Sequence, residues 1–178
     1  MSLEIEETIH IGAPPESVWK FLVDLHSWQH WWPGCREAET KDRKPLHDGS
    51  PFVLAVRLGW LTIKFNARVE AASAPRSLLW VATGGGVTGR HAFYLDAKPN
   101  GTFVRQKESF TGPGLLFFRL ARFDAASRRM FRQNLRGLKR IAERSAEEGW
   151  ADWAALSGSR AAARARRASR SLRRTDRQ

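Results

Sequence analysis

Residues 114–143 read GLLFFRLARFDAASRRMFRQNLRGLKRIAE. Leu116, Leu120, Phe123, Ser127, Met130, Phe131, Leu135, Leu138 and Ala142 recur at steps of three and four. That spacing puts them on one face of an amphipathic helix. Arg119, Arg122, Arg129, Arg132, Arg136 and Arg140 fall mostly on the other face. Pro113 precedes the stretch, where a missing N–H costs nothing. A helix of about 30 residues is about 45 Å long at 1.5 Å per residue. Only a broad surface can cover so long an apolar stripe, and the segments before it read as strands. The expected cover is therefore a curved antiparallel sheet.

Those segments follow in order. Leu3, Ile5, Ile9 and Ile11 share one parity and predict a strand. Ala13-Pro14-Pro15-Glu16 ends it and opens a helix with an apolar stripe of Val18, Phe21, Leu22 and Leu25. Ser27 is placed to cap a second short helix through Trp32, stopped by Pro33-Gly34. Its Trp28, Trp31 and Trp32 read first as a packing plug, and second as an aromatic wall at the mouth of a ligand site. Six further strands are predicted: 35–43, weakly patterned, then 52–58, 61–70, 77–83, 87–97 and 102–110. Gly84-Gly85-Gly86 and Pro99-Asn100-Gly101 mark hairpin connections. The fold class is α+β, with seven strands, two short helices after the first strand and a long helix at the end.

Length suits one domain and a tail, residues 1–146 and 147–178. A body of about 150 residues buries roughly 68–70% of its unfolded surface, enough for a core without staples. With Cys35 as the lone cysteine, no internal disulfide can form. The N-terminus is acidic and alternating, unlike a secretory signal, and no apolar run approaches a membrane span. The expected location is cytoplasmic. Of the net charge of +12, +7 lies in residues 160–178 and +5 in the rest, so the high basicity is mainly a property of the tail. RAAARARRASRSLRRTDRQ has no apolar stripe and reads first as a disordered appendage. Weak contact with an anionic membrane is the second reading and nucleic acid the third.

Two stretches carry a family resemblance: ETIHIGAPPESVWKFLVDLHSWQHWWPG at 7–34 and GRHAFYLDAKPNGTFVRQKESFTG at 89–112. With the element order, they resemble the START/Bet v1-like (SRPBCC) superfamily, in its polyketide cyclase/dehydrase and lipid-transport branch, over residues 3–146. The resemblance implies the helix-grip fold, a seven-stranded antiparallel sheet wrapped around a long C-terminal helix, with an elongated apolar cavity between them. It assigns no role to any single residue.

A curved sheet also cannot touch a straight helix along its whole length, and such concave apolar spaces are default ligand sites. Candidate wall residues are Phe65, Phe93, Leu95, Phe110, Leu120, Phe123 and Phe131. The competing reading is that they fill the space as core. Within 87–97, His91 shares the odd parity of Val87, Phe93 and Leu95. Within 102–110, Gln106 and Glu108 share the even parity of Val104 and Phe110. A two-residue turn on Pro99-Asn100 sets His91 opposite Glu108 and Phe93 opposite Gln106. Such neighbours lie about 4.5–5.5 Å apart at Cβ. An ionisable pair beside an apolar space must be hydrogen-bonded. It serves either as a hairpin lock or as an anchor or acid/base pair for a ligand.

Other patterns carry less. His26 and His30 are four apart but lack the glutamate of HExxH, so no metal is expected. The three glycines lack the Lys-Ser/Thr of a phosphate loop, no cofactor motif is present, and Cys35 has no evident base partner. The leading expectation is binding or transport of a hydrophobic small molecule (lipid, isoprenoid or polyketide). The alternative is a polyketide cyclase/dehydrase-type enzyme using His91 and Glu108 for proton transfer. A third, weaker reading is a partner-binding adaptor with a filled core.

Overall fold

The computed structural model describes residues 2–40, 44–58, 60–114 and 125–149. The chain divides into two compact units, Met1–Glu143 and Arg144–Gln178. All that follows concerns the first. Its strands are β1 (Leu3–Ile11), β2 (Cys35–Glu39), β3 (Pro51–Leu58), β4 (Leu61–Ser73), β5 (Ser77–Gly84), β6 (Val87–Lys98) and β7 (Gly101–Thr111). Helix α1 (Pro15–Val23), a 3₁₀ turn (Leu25–Ser27) and α2 (Trp28–Trp31) lie between β1 and β2, and α3, helical over 125–143 within this unit, follows β7.

The strands form one antiparallel sheet in the order β1-β7-β6-β5-β4-β3-β2. Every neighbouring pair but β1–β7 is consecutive in sequence, so short turns build most of the sheet. Gly85 and Gly86 both have positive φ, which the two-residue β5–β6 turn requires. Lys98 pairs with Gly101, so the β6–β7 turn is indeed Pro99-Asn100. β4 extends three residues past the patterned stretch, to Ser73, after a register shift between Val69 and Ala71. β2 is shorter than expected, ending at Glu39, and residues 41–43 lie outside the described ones.

The inner face of the sheet alternates as its pattern demands. Ile5, Ile11, Leu54, Val69, Leu78, Trp80, Phe93, Leu95 and Val104 are buried. In α3, Ser127, Phe131, Leu135, Leu138 and Ala142 are buried, while Arg129, Arg132, Arg136 and Arg140 are exposed. Leu116, Leu120 and Phe123, the early part of the expected apolar face, lie outside the described residues. Polar bonds tie α3 to β1 and its end. Arg132 Nη1 donates to Glu7 Oε1 at 2.9 Å, Lys139 Nζ to the His10 carbonyl at 2.8 Å, and the Gly12 N–H to Glu143 Oε1 at 2.6 Å. Gly137 faces α2, where a Cβ would run into the Trp31 carbonyl; its missing side chain lets the two backbones meet.

One local expectation is corrected. Ser27 does not cap α2, because the chain first makes a 3₁₀ turn that already includes Ser27 with helical backbone angles. Asp24 caps that turn, its Oδ1 accepting from the His26 N–H at 3.1 Å. The Ser27 hydroxyl lies 2.7 Å from the Asp24 carbonyl and 2.9 Å from that of Phe21, and accepts from Trp31 Nε1 at 3.2 Å. This anchors the tryptophan cluster. Trp28 contacts Trp31, Trp32, Phe52 and Trp80 at centroid distances of 5.3–5.9 Å. Truncating a buried aromatic of this kind costs about 3–5 kcal/mol.

Candidate ligand site

The antiparallel register of β6 and β7 places His91 opposite Glu108 and Phe93 opposite Gln106. His91 Nδ1 lies 3.2 Å from Glu108 Oε2, and Gln106 Nε2 lies 3.1 Å from His91 Nε2. A neutral imidazole protonated on Nδ1 satisfies both contacts, donating to the carboxylate and accepting from the amide. With that amide orientation, Gln106 Oε1 has no hydrogen-bond partner among the described residues. A flipped amide would instead suit an imidazolium that donates from both nitrogens.

Aromatic rings hold the imidazole in place. Trp80 stacks on it at 4.2 Å and 7°, Phe93 lies 5.1 Å away, Phe131 5.3 Å and Trp32 6.0 Å. His91 is buried at 3% exposure, while the Glu108 side chain remains 14% exposed. The carboxylate thus reaches toward space while its partner is packed. Gly89 makes room for it, since a Cβ there would sit 2.7 Å from Glu108 Oε1.

That space is a cavity of about 40 Å³ between the sheet and α3. Its polar wall is His91, Glu108 and Ser127; its apolar wall includes Leu54, Val56, Phe65, Trp80, Val87 and Phe110, with Leu3, Trp32 and Met130. Room of one probe sphere, roughly 10–15 Å³ on this measure, holds one water, so the space takes a few waters as it stands. Leu3, Phe65, Phe110 and Met130 are only partly buried.

Four of the expected site residues therefore meet at the cavity: Phe65, His91, Glu108 and Phe110. Phe93, Leu95, Gln106 and Phe131 do not line it. Phe93 is enclosed by Trp31, Trp80 and His91, and Phe131 packs against the imidazole from α3. Gln106 lies behind the histidine, and Leu95 is buried farther along β6 toward the Pro99 turn. Parity identifies the face of a strand but not the depth along it. Leu120 and Phe123 lie outside the described residues. Pattern reading also missed Trp80, because 78–82 is apolar on both parities and shows no preferred face. Trp28 and Trp31 are core, whereas Trp32 reaches the cavity.

Two other groups are placed by the fold. Burial pushes the Cys35 thiol up to about 12, opposed by a backbone hydrogen bond from Glu37 and by the nearby Arg36 charge. His26 and His30 are exposed. No described helix is long and apolar enough to cross a membrane.

With this geometry, the family model for polyketide cyclase/dehydrase and lipid transport matches residues 2–143. The chain belongs to that family. Solved structures share its architecture at low identity. The Zhui aromatase/cyclase from Streptomyces sp. R1128 superposes with a TM-score of 0.70 at 16% identity, over 81% of this chain and 95% of that one. A protein of Thermus thermophilus gives 0.67 at 15%, over 80% and 99%. The di-domain aromatase/cyclase StfQ of the steffimycin biosynthetic pathway gives 0.63 at 14%, over 85% of this chain and 52% of that chain. At such identities the likeness is one of fold. No curated protein matches by sequence.

Proposed function

We propose that the chain binds a hydrophobic small molecule between the sheet and α3, with the His91–Glu108 pair as the polar anchor for one group of that ligand. A single observation carries this reading: the cavity is walled mainly by apolar side chains, and among the described residues one ionisable pair on its wall, His91 and Glu108 at 3.2 Å, is buried on one side and open on the other. Convergent polar groups in an apolar pocket are the usual signature of a small-molecule site. At about 40 Å³ the cavity must widen to admit a lipid, isoprenoid or polyketide. The partly buried rim supplies the means, since Met130 is unbranched and adaptable and Leu3, Phe65 and Phe110 border the opening. The test is titration with the neutral apolar fluorophore N-phenyl-1-naphthylamine. Saturable binding that is lost in Ala82→Leu, which fills the cavity, supports the reading; equal binding by both proteins sinks it.

A second reading is favoured by the same pair and by the aromatase/cyclases among the fold neighbours. Here the bound molecule is a polyketide and the chain a cyclase- or dehydratase-type enzyme. Glu108 would take a proton from the substrate and His91 would hold the carboxylate in place. Turnover of a trial polyketide, abolished in Glu108→Gln while binding persists, distinguishes this reading from simple carriage.

A further inference from the structure

We propose that a groove beside the cavity binds the anionic head group, carboxylate or phosphate, of an amphiphile whose apolar part occupies the cavity. The inference rests on the ligand-binding reading above and specifies the class of ligand.

The groove, of about 390 Å³, lies between the Pro33-Gly34 turn, β3 and α3. Arg36, Arg57 and Arg129 line it, with Gln133 and Met130, and no acidic residue does so among the described residues. Arg36 and Arg129 bring like charge to one concavity, and an anion bound there offsets it. The planar fork of arginine suits carboxylate and phosphate oxygens in bidentate fashion.

Local structure explains how the cluster arises. Cys35 pairs with Val56 and Glu37 with Ala55, so Arg36 is the extra residue of a bulge on the edge strand. Bulges re-aim side chains and occur often beside functional sites. The Arg57 N–H donates to the Gly34 carbonyl at 2.8 Å, which holds the turn against β3. The nearest carboxylate in sequence, Glu37, is already held by Lys64 Nζ at 2.9 Å. Neither Arg36 nor Arg129 has an ion-pair partner among the described residues.

The groove also touches the cavity. Met130 lines both. Trp32 lines the cavity, and its buried Nε1 has no hydrogen-bond partner among the described residues. At Gly34, on the groove wall, a Cβ would lie 3.4 Å from that Nε1 and 3.2 Å from Met130 Sδ. The indole N–H and a flexible thioether thus stand between the apolar space and the arginines. A ligand crossing there would place its acid group beside Arg36 and Arg129.

The experiment is isothermal titration of the full chain with decan-1-ol, decanoate and decyl phosphate near neutral pH, repeated with Arg36→Gln/Arg129→Gln. Both positions are exposed, and the alcohol serves as the internal control for cavity binding. The expected result is that one or both acids bind about tenfold or more tightly than the alcohol to the wild type. In the double variant the preference falls to about twofold or less, because the charged partners are gone. A stronger effect for decyl phosphate assigns the groove to phosphate, and a stronger effect for decanoate assigns it to carboxylate. Alcohol binding without preference for either acid overturns the inference and leaves the cavity reading intact, as does a preference that survives in the double variant. Failure of all three to bind overturns both.

Discussion

His91 and Glu108 face each other across the β6–β7 ladder, with Nδ1 3.2 Å from Oε2. The imidazole is stacked on Trp80 and held at its second nitrogen by Gln106. Only the carboxylate side of the pair has freedom to meet a ligand. The arrangement is both a hairpin lock and a site anchor, and substitutions can separate the two roles.

His91→Phe keeps a flat ring against Trp80 but removes the polar contacts to Glu108 and Gln106. Leaving Gln106 and Glu108 without this partner is expected to cost about 1–3 kcal/mol of stability in urea unfolding. Ligand affinity should fall about tenfold, the equivalent of about 1.4 kcal/mol, because Glu108 loses the partner that holds it in place. A variant that is destabilised but binds normally would reduce His91 to a structural role.

Gly137→Ala reverses the usual sign of a helix substitution. In an exposed helix interior, alanine stabilises by about 1 kcal/mol over glycine. Here the added Cβ meets the Trp31 carbonyl, and overpacking of this kind costs about 1–3 kcal/mol. A lowered urea midpoint is expected, and a raised one would show that α2 and α3 pack less closely than described.

Asn134 is fully buried on the inner face of α3, with both amide atoms unpartnered among the described residues. Burying such an amide costs about 1–3 kcal/mol on mutational scales. Asn134→Leu, which keeps the branch at Cγ but removes both polar atoms, is therefore expected to raise the stability of the ligand-free protein. A loss of stability would mean that the amide makes a bond worth more than the cost of its burial.

Cys35 should be inert in the folded chain. Its thiol is raised to about 12, so at pH 8 almost none is thiolate, and the sulfur is buried. Iodoacetamide should label it in denaturant and leave it unmodified in the native state. Rapid native labelling would contradict the packing of β2.

Much of this is legible in the sequence alone. The period of three to four in 127–142 marks the buried face of α3, and clean alternation in 61–69 marks the inner face of β4. The Pro99-Asn100 turn set the register that pairs His91 with Glu108, because a two-residue loop leaves no freedom. What stayed hidden has physical causes. Phe93 and Phe65 share the inward parity of their strands, yet only Phe65 reaches the cavity, since depth depends on how the sheet curves. Gly89 and Gly137 matter through absent side chains, which carry no hydropathy signal. Arg36 read as part of a weak strand because a bulge erases the period of two.

The central claim is that an apolar molecule occupies the space between the sheet and α3. Native mass spectrometry of the purified full chain, followed by denaturing extraction, tests it most directly. The account predicts a co-purifying apolar or amphiphilic molecule, or uptake of one from a lipid and polyketide panel, that Ala82→Leu abolishes. A chain that carries nothing and takes up nothing from the panel would contradict it, and would make the aromatic interior a filled core.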